Sequence, residues 1–312
     1  MSELILHHYP ESLYSEKVRL ILGMKNLSWK SVLIPMVMPK PDLMPLTGGY
    51  RRTPILQIGN DVYCDTALIA ETLERLAPQP SLYPQGLKGV AESLAQWGDN
   101  YLFWAAMGYF YQSEGISQAL SALSPEMAQN YVNDRAALLA SRPQISLAEN
   151  HAALLVYLQR LQQMLEGGQP FLLGASASLA DVCCYHPLWI LQMVPATACL
   201  LQGYPLVLAW LERVKAIGHG QRSELSALEA LAIAKQHPAS SIHSQASDIP
   251  GIALGDQVQI MPSDYGLDPV QGELVLVESN HMAVRRHDER AGTVVVHFPR
   301  IGYHIKHVEQ AS

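Results

Sequence analysis

Three short motifs place reactive or polar side chains where regular elements begin. Ser12-Leu13-Tyr14-Ser15 follows the apolar stretch Glu3 to His7 and opens a helical one. A helix N-terminus presents unpaired N–H groups and a partial positive charge, so an anion there, a thiolate included, is stabilised. In the related redox arrangement this turn would read C-x-x-C; serines replace both sulfurs here, which excludes dithiol exchange. A hydroxyl can still donate to a bound thiolate, although the commoner role of a serine before a helix is to cap it. Tyr9 and Tyr14 are phenols beside the same turn, where packing with the hydroxyl at the surface is the usual outcome. Arg52-Thr53-Pro54-Ile55 enters a strand, and Pro54 is either an edge device or a cis turn that exposes the backbone before it. Cys64-Asp65-Thr66-Ala67 opens another helix, with Asp65 and Thr66 as caps or as groups turned to a ligand.

The elements that position these residues follow from periodicity. Glu3 to His7 and Trp29 to Ile34 read as strands flanking a helix over Ser15 to Met24, with Val18, Ile21 and Leu22 on one face. Ile55 to Ile58 and Asp61 to Tyr63 flank Gly59-Asn60, a two-residue hairpin turn, and Ala67 to Leu76 forms a helix. The order is β-α-β followed by β-β-α. From about Gly89 to Gln236 strand signals vanish. Ser124-Pro125-Glu126 is a complete helix start, and Leu147 to Leu165 carries leucines at helical spacing before Gly167-Gly168. Val182 to Leu211 contains no Asp, Glu, Lys or Arg, but Pro187, Pro195 and Pro205 divide it, so it reads as core helices rather than a membrane span. Residues 237 to 250 are small, polar and proline-containing, as in a linker. Gln257 to Met261, Glu273 to Val277, Met282 to Arg286, Thr293 to Phe298 and Tyr303 to Val308 are short strands, which suggest a small barrel or rolled sheet.

The order of the motifs resembles that of the cytosolic glutathione transferases, serine-type and bacterial-like: a helix start after strand one, Thr53-Pro54 before strand three, Asp65-Thr66 after strand four, then a helical domain. Val18 and Arg19 in Ser-x-x-Ser-x-x-Val-Arg-Leu extend the likeness, as does Ser178-Leu179-Ala180-Asp181, whose S-x-x-D is by its own physics a capping box and an architectural feature. The resemblance covers residues 1 to 235. It implies a thioredoxin-like glutathione-binding domain over 1–83 and an all-helical domain over 88–237; outside the resemblance, composition and strand spacing give a linker over 238–250 and a small β domain over 251–312, so that the fold class is α/β plus all-α plus small all-β. By that likeness Ser12 donates to the glutathione sulfur and Thr53, before a cis Pro54, pairs its backbone with the cysteinyl unit. Asp65 and Thr66 hold the γ-glutamyl end, and Arg51 or Arg52 reaches the glycyl carboxylate. The chain departs from the family at Leu13, where serine-type members carry proline, and at Asp65-Thr66, commonly Glu-Ser or Gln-Ser. Tyr9 and Tyr14 stand as alternatives to Ser12.

The expected activity is transfer of glutathione, as cosubstrate, to a small electrophile, with Tyr101, Phe103, Trp104, Tyr109, Phe110 and Tyr111 available to line an apolar acceptor site and at least half of them core. The likeness also implies a homodimer. A glutathione-binding or scaffolding protein without turnover, whose β domain recruits a partner, is the alternative.

The 312 residues are 49% apolar and 16% charged, ample for a sizeable core in two or three domains. The 21 Lys and Arg against 28 Asp and Glu give a net charge of −7, and no long segment is net basic, which disfavours nucleic acid. Cys64, Cys183, Cys184 and Cys199 lack the spacing of a disulfide framework, and the first residues lack a secretory signal, so a cytoplasmic location is expected. His281, His287, His297, His304 and His307 have no structural-zinc spacing, so no metal is expected.

Overall fold

A computed structural model describes residues 3–237 and 247–308. The chain begins with β1 (Ile5–His8), α1 (Leu13–Met24), β2 (Ser28–Leu33), α2 (Met44–Thr47), β3 (Ile55–Ile58), β4 (Asp61–Cys64) and α3 (Thr66–Leu76). β1 pairs parallel with β2 and antiparallel with β3, and β3 pairs antiparallel with β4 across the Gly59-Asn60 turn, where Gly59 adopts φ 62°. This is the expected thioredoxin-like unit. The sheet alternates faces: Leu6, Leu56 and Tyr63 pack with α1, α3 and the helical domain, whereas Ile5, Ile55 and Val62 point to the opposite core.

The helical domain comprises α4 (Lys88–Trp97), α5 (Phe103–Gln112), α6 (Glu114–Leu120), α7 (Pro125–Leu138), α8 (Leu147–Leu165), α9 (Leu179–Gln192), α10 (Pro195–Ala198) and α11 (Pro205–Lys215). A π turn over Gly98–Leu102 joins α4 to α5. α9 is the central helix and packs against α1 of the first domain as well as α4 and α5. Its start is built by Asp181, whose carboxylate accepts from Ser178 N at 2.8 Å and from Trp210 Nε1 at 2.9 Å, so the box also ties α9 to α11. Pro195 and Pro205 open helices, but Pro187 lies inside α9 instead of breaking it. Proline there removes the donor for the Cys183 carbonyl, and Gly98 fits against that carbonyl, since a Cβ at Gly98 would lie 2.7 Å from it. Among the described residues no helix is long and apolar enough to cross a membrane.

Two corrections concern residues 221–308. β5 (Gln221–Glu224) lies in the stretch expected to be all-helical and pairs parallel with β2, and α12 (Ala227–Gln236) then covers the sheet face opposite the helical domain. β5 reads Gln-Arg-Ser-Glu and is exposed along its length, so it has no apolar alternation to reveal it. Beyond lie β6 (Gln257–Pro262), β7 (Val270–Val277), β8 (His281–Asp288), β9 (Gly292–Pro299) and β10 (Tyr303–His307). They form the expected additional sheet, but not apart from the first domain. β9 pairs parallel with β4, Val62 opposite Val296, giving one ten-stranded sheet among the described residues in the order β10-β6-β7-β8-β9-β4-β3-β1-β2-β5. Val294, Val296 and Phe298 share a core with Ile55, Val62 and Cys64, because the free edge of β4 offers unpaired peptide groups that β9 satisfies. Of the expected linker, 238–246 lie outside the described residues.

Candidate active site

Ser12 is the N-cap of α1, 4% exposed, with φ −74° and ψ 119°. Its Oγ accepts from Ser15 N at 3.2 Å, so the capping role is real, yet its O–H remains a donor. Tyr14 OH donates to the Asp99 carbonyl at 2.9 Å, and burial pushes the phenol well above its ordinary pKa. The Tyr9 hydroxyl lies beside Ser12 and accepts from Arg135 NH2 at 3.2 Å; burial outweighs Arg135 and raises it too. Tyr14 OH is thus committed to the Asp99 carbonyl, which leaves the Ser12 and Tyr9 hydroxyls beside the helix start.

Ser12 lines a cavity of about 470 Å³ between the domains, with Phe103, Trp104, Phe110 and Tyr111 on its far wall. Of the six aromatic residues expected there, Tyr101 is 66% exposed and Tyr109 stacks on His151 instead; Phe103 and Phe110 are buried core residues as well as wall. Lys40, which sequence reasoning missed, enters the same cavity. It is 4% exposed and donates to Thr53 Oγ1 at 2.8 Å and to the Arg51 carbonyl at 3.1 Å. Burial, with Arg135 and Arg51 nearby, lowers its pKa to about 7. Both arginines expected at a ligand carboxylate are engaged within the chain. Arg51 pairs with Asp134 of α7, and Arg52 pairs with Asp264 and the Tyr265 carbonyl.

The Thr53–Pro54 peptide is cis, the alternative that the sequence left open. Thr53, Arg52, Tyr14 and Tyr265 border both this cavity and a larger one of about 670 Å³, so they frame the neck between the two. Pro54, Asp65 and Thr66 line the larger chamber. Asp65 has φ 77°, a conformation that costs a non-glycine residue of order 1–3 kcal/mol and that clusters at ligand sites. One of its oxygens caps α3 through Ala67 N at 2.8 Å, and the other accepts from Tyr303 OH at 3.1 Å. Thr66 Oγ1 accepts from Lys17 Nζ at 2.9 Å. Lys17 also went unnoticed in the sequence, since a lysine in an amphipathic helix reads as surface; here it is 1% exposed and paired with Asp99, which also meets His186 Nε2 at 2.9 Å.

A helix-start hydroxyl, a buried amine and a strained carboxylate next to a buried ammonium thus surround a two-chambered cleft between a thioredoxin-like domain and a helical one. That architecture, a thioredoxin-like domain set against a helical one across a shared cleft, defines the class of the fold. Residues 6–81 match the glutathione S-transferase N-terminal domain and residues 111–217 the glutathione S-transferase C-terminal domain. A GST-like protein from Pseudomonas syringae is 40% identical, covers 99% of this chain and 100% of its own, and superposes with a TM-score of 0.81. The chain belongs to the glutathione S-transferase family. Beta-etherase LigF from Sphingobium sp. strain SYK-6, at 21% identity and TM-score 0.53, covers 69% of this chain and 96% of its own. A glutathione transferase from Populus trichocarpa, at 18% identity and TM-score 0.52, covers 68% and 93%. Those two share the fold alone and leave nearly a third of this chain unmatched, whereas the coverage of the P. syringae protein extends over β6 to β10. No curated protein sequence gives a significant match.

Proposed function

We propose that this chain is a glutathione transferase: it binds glutathione across the two chambers, stabilises the thiolate beside Ser12, and transfers it to a small apolar electrophile in the aromatic-walled cavity. The observation that carries the reading is the neck at Thr53, which joins a chamber suited to a thiolate to one suited to an α-amino acid. At the γ-glutamyl end the α-ammonium pairs with Asp65, and the α-carboxylate takes the Thr66 hydroxyl, with the Lys17 ammonium bonded behind it. Thr53 pairs its backbone with the cysteinyl unit. The glycyl carboxylate goes to Lys40, the buried amine of the smaller chamber, which bonds no acid among the described residues, in place of Arg51 and Arg52.

A free thiol near pKa 8.5 is only about 3% ionised at pH 7, and lowering it by about two units needs roughly 2.7 kcal/mol. The Ser12 hydroxyl and the N-terminus of α1 supply interactions of that size. The thiolate sulfur then forms a C–S bond to the electrophilic carbon, and the electron pair leaves with the displaced group or collects a solvent proton. We place the protein in the cytoplasm as a homodimer, by family likeness.

Thermal-shift titration with glutathione tests the binding: the melting temperature should climb with ligand, and a flat response at several millimolar would remove the reading. Conjugation of 1-chloro-2,4-dinitrobenzene then separates a transferase from a glutathione-binding scaffold, which would bind without turnover.

A further inference from the structure

The loop from Ser263 to Pro269, between β6 and β7, crosses the mouth of the cleft. Gly266, at φ 53°, donates its N–H to the Leu138 carbonyl at 3.0 Å, and Ser141 Oγ donates to the Asp264 carbonyl at 3.1 Å, so the loop is tied to the end of α7. On the other side, the Arg52 guanidinium lies 3.8 Å from the centre of the Tyr265 ring, and Trp104 meets that ring edge-on at 5.2 Å. Tyr265 therefore stands at the neck, held from both domains. β10 contributes Tyr303, whose hydroxyl lies 2.8 Å from Tyr50 OH and donates to Asp65 Oδ2.

We propose that the C-terminal strands complete the cosubstrate site: Tyr303 is a positioning residue for Asp65, and Tyr265 roofs the neck and selects γ-glutamyl thiols that thread it. The inference rests on the glutathione reading above. Asp65 Oδ1 is spent on the α3 cap and Oδ2 is aimed by Tyr303, itself held by the buried Tyr50, so the carboxylate offers its remaining lone pairs to a ligand ammonium in one orientation. At the neck, Asp264 balances the charge of Arg52, so Arg52 is a wall rather than an anion receptor. Its Nε is buried without a hydrogen-bond partner among the described residues. A buried unmet donor is costly, and the backbone carbonyl of a peptide threaded beneath Tyr265 would meet it.

The test compares glutathione with N-acetylglutathione, which lacks the α-ammonium, by calorimetry on the full-length protein. Wild type should prefer glutathione by tenfold or more. Tyr303→Phe should cut that preference at least fivefold by weakening glutathione while leaving the acetylated ligand within twofold, a difference that general loss of structure does not produce. Tyr265→Ala should weaken glutathione at least tenfold and Tyr265→Phe should restore it, since the ring forms the roof. An unchanged preference in Tyr303→Phe, or glutathione affinity within twofold of wild type in Tyr265→Ala, overturns the inference and leaves the glutathione reading standing. Wild type that binds no glutathione overturns both.

Discussion

Lys17 of α1 and Asp99 of the π turn form an ion pair at 2.5 Å in the domain interface, with the lysine side chain 1% exposed. Burial by itself would raise Asp99, but Lys17 and His186 overcome it and hold the carboxyl below its ordinary value; Lys17 is raised in turn, burial being outweighed by Asp99. The pair touches the candidate site through Thr66, so stability and ligand geometry share one cation.

Removing one partner of a buried pair costs about 3–5 kcal/mol, because the other charge stays desolvated. Asp99→Ala should therefore lower the unfolding free energy by about that much, measured by urea denaturation at pH 7.5, and Lys17→Met with Asp99→Asn together should cost less than Asp99→Ala alone. A change below about 1 kcal/mol in Asp99→Ala would mean that water solvates Lys17.

Acid should destabilise the protein before its carboxylates titrate. Burial lowers His7 to about 4, His8 to about 3 and His281 to about 3, from 6.5. Below 6.5 the unfolded chain binds protons that the folded one refuses, so the stability from these neutral rings is complete above that pH and falls as pH drops toward the folded values. Asp99, with its depressed value, adds a loss at still lower pH. Denaturation midpoints at pH 7.5, 6.0 and 5.0 should decline in that order; equal midpoints would exclude the effect.

Ser12→Ala should raise the pKa of bound glutathione by about one to two units, as befits a lost hydrogen bond to a charged group, while glutathione affinity at low pH changes little. Ultraviolet thiolate absorbance against pH reads this directly. Overlaid titrations of mutant and wild type would shift the task to the backbone of α1 or to Tyr9.

Lys40 sits near pKa 7 without ligand, so at pH 8 most of it is neutral, and a carboxylate arriving beside it should draw a proton onto the amine. S-methylglutathione, which has no thiol proton to release, should bind with net proton uptake, measured by calorimetry in buffers of different ionisation enthalpy. Lys40→Met should abolish the uptake and weaken binding by about 1.5–3 kcal/mol. Wild type that binds without uptake would place the glycyl carboxylate elsewhere.

A chain ending near residue 240 should aggregate or lose its cooperative melt. It would bare the β4 edge and the core shared by Val62, Val296 and Phe298. Size-exclusion chromatography and thermal melting check this; a soluble, folded truncation would restore an independent C-terminal unit.

The features readable from the sequence are those written within a few residues. The 3.6-residue spacing of α8, the turn at Gly59-Asn60, the cap at Ser12 and the box at Ser178-Asp181 each arise from contacts inside one turn or hairpin, and the order of the motifs carried the family and the first two domains. Tertiary structure alone decided the rest. The pairing of β4 with β9 joins Asp61 to Val295 through peptide groups on two strand edges, and peptide groups are the same in every residue. β5 is held by such bonds with no apolar face at all. Lys17 and Lys40 looked like surface residues because a lysine's burial is set by the acids and carbonyls that distant segments bring to it. Tyr265 and Tyr303 reached the cleft only because the sheet continued past its expected edge, and that continuation depends on what packs above and below the seam.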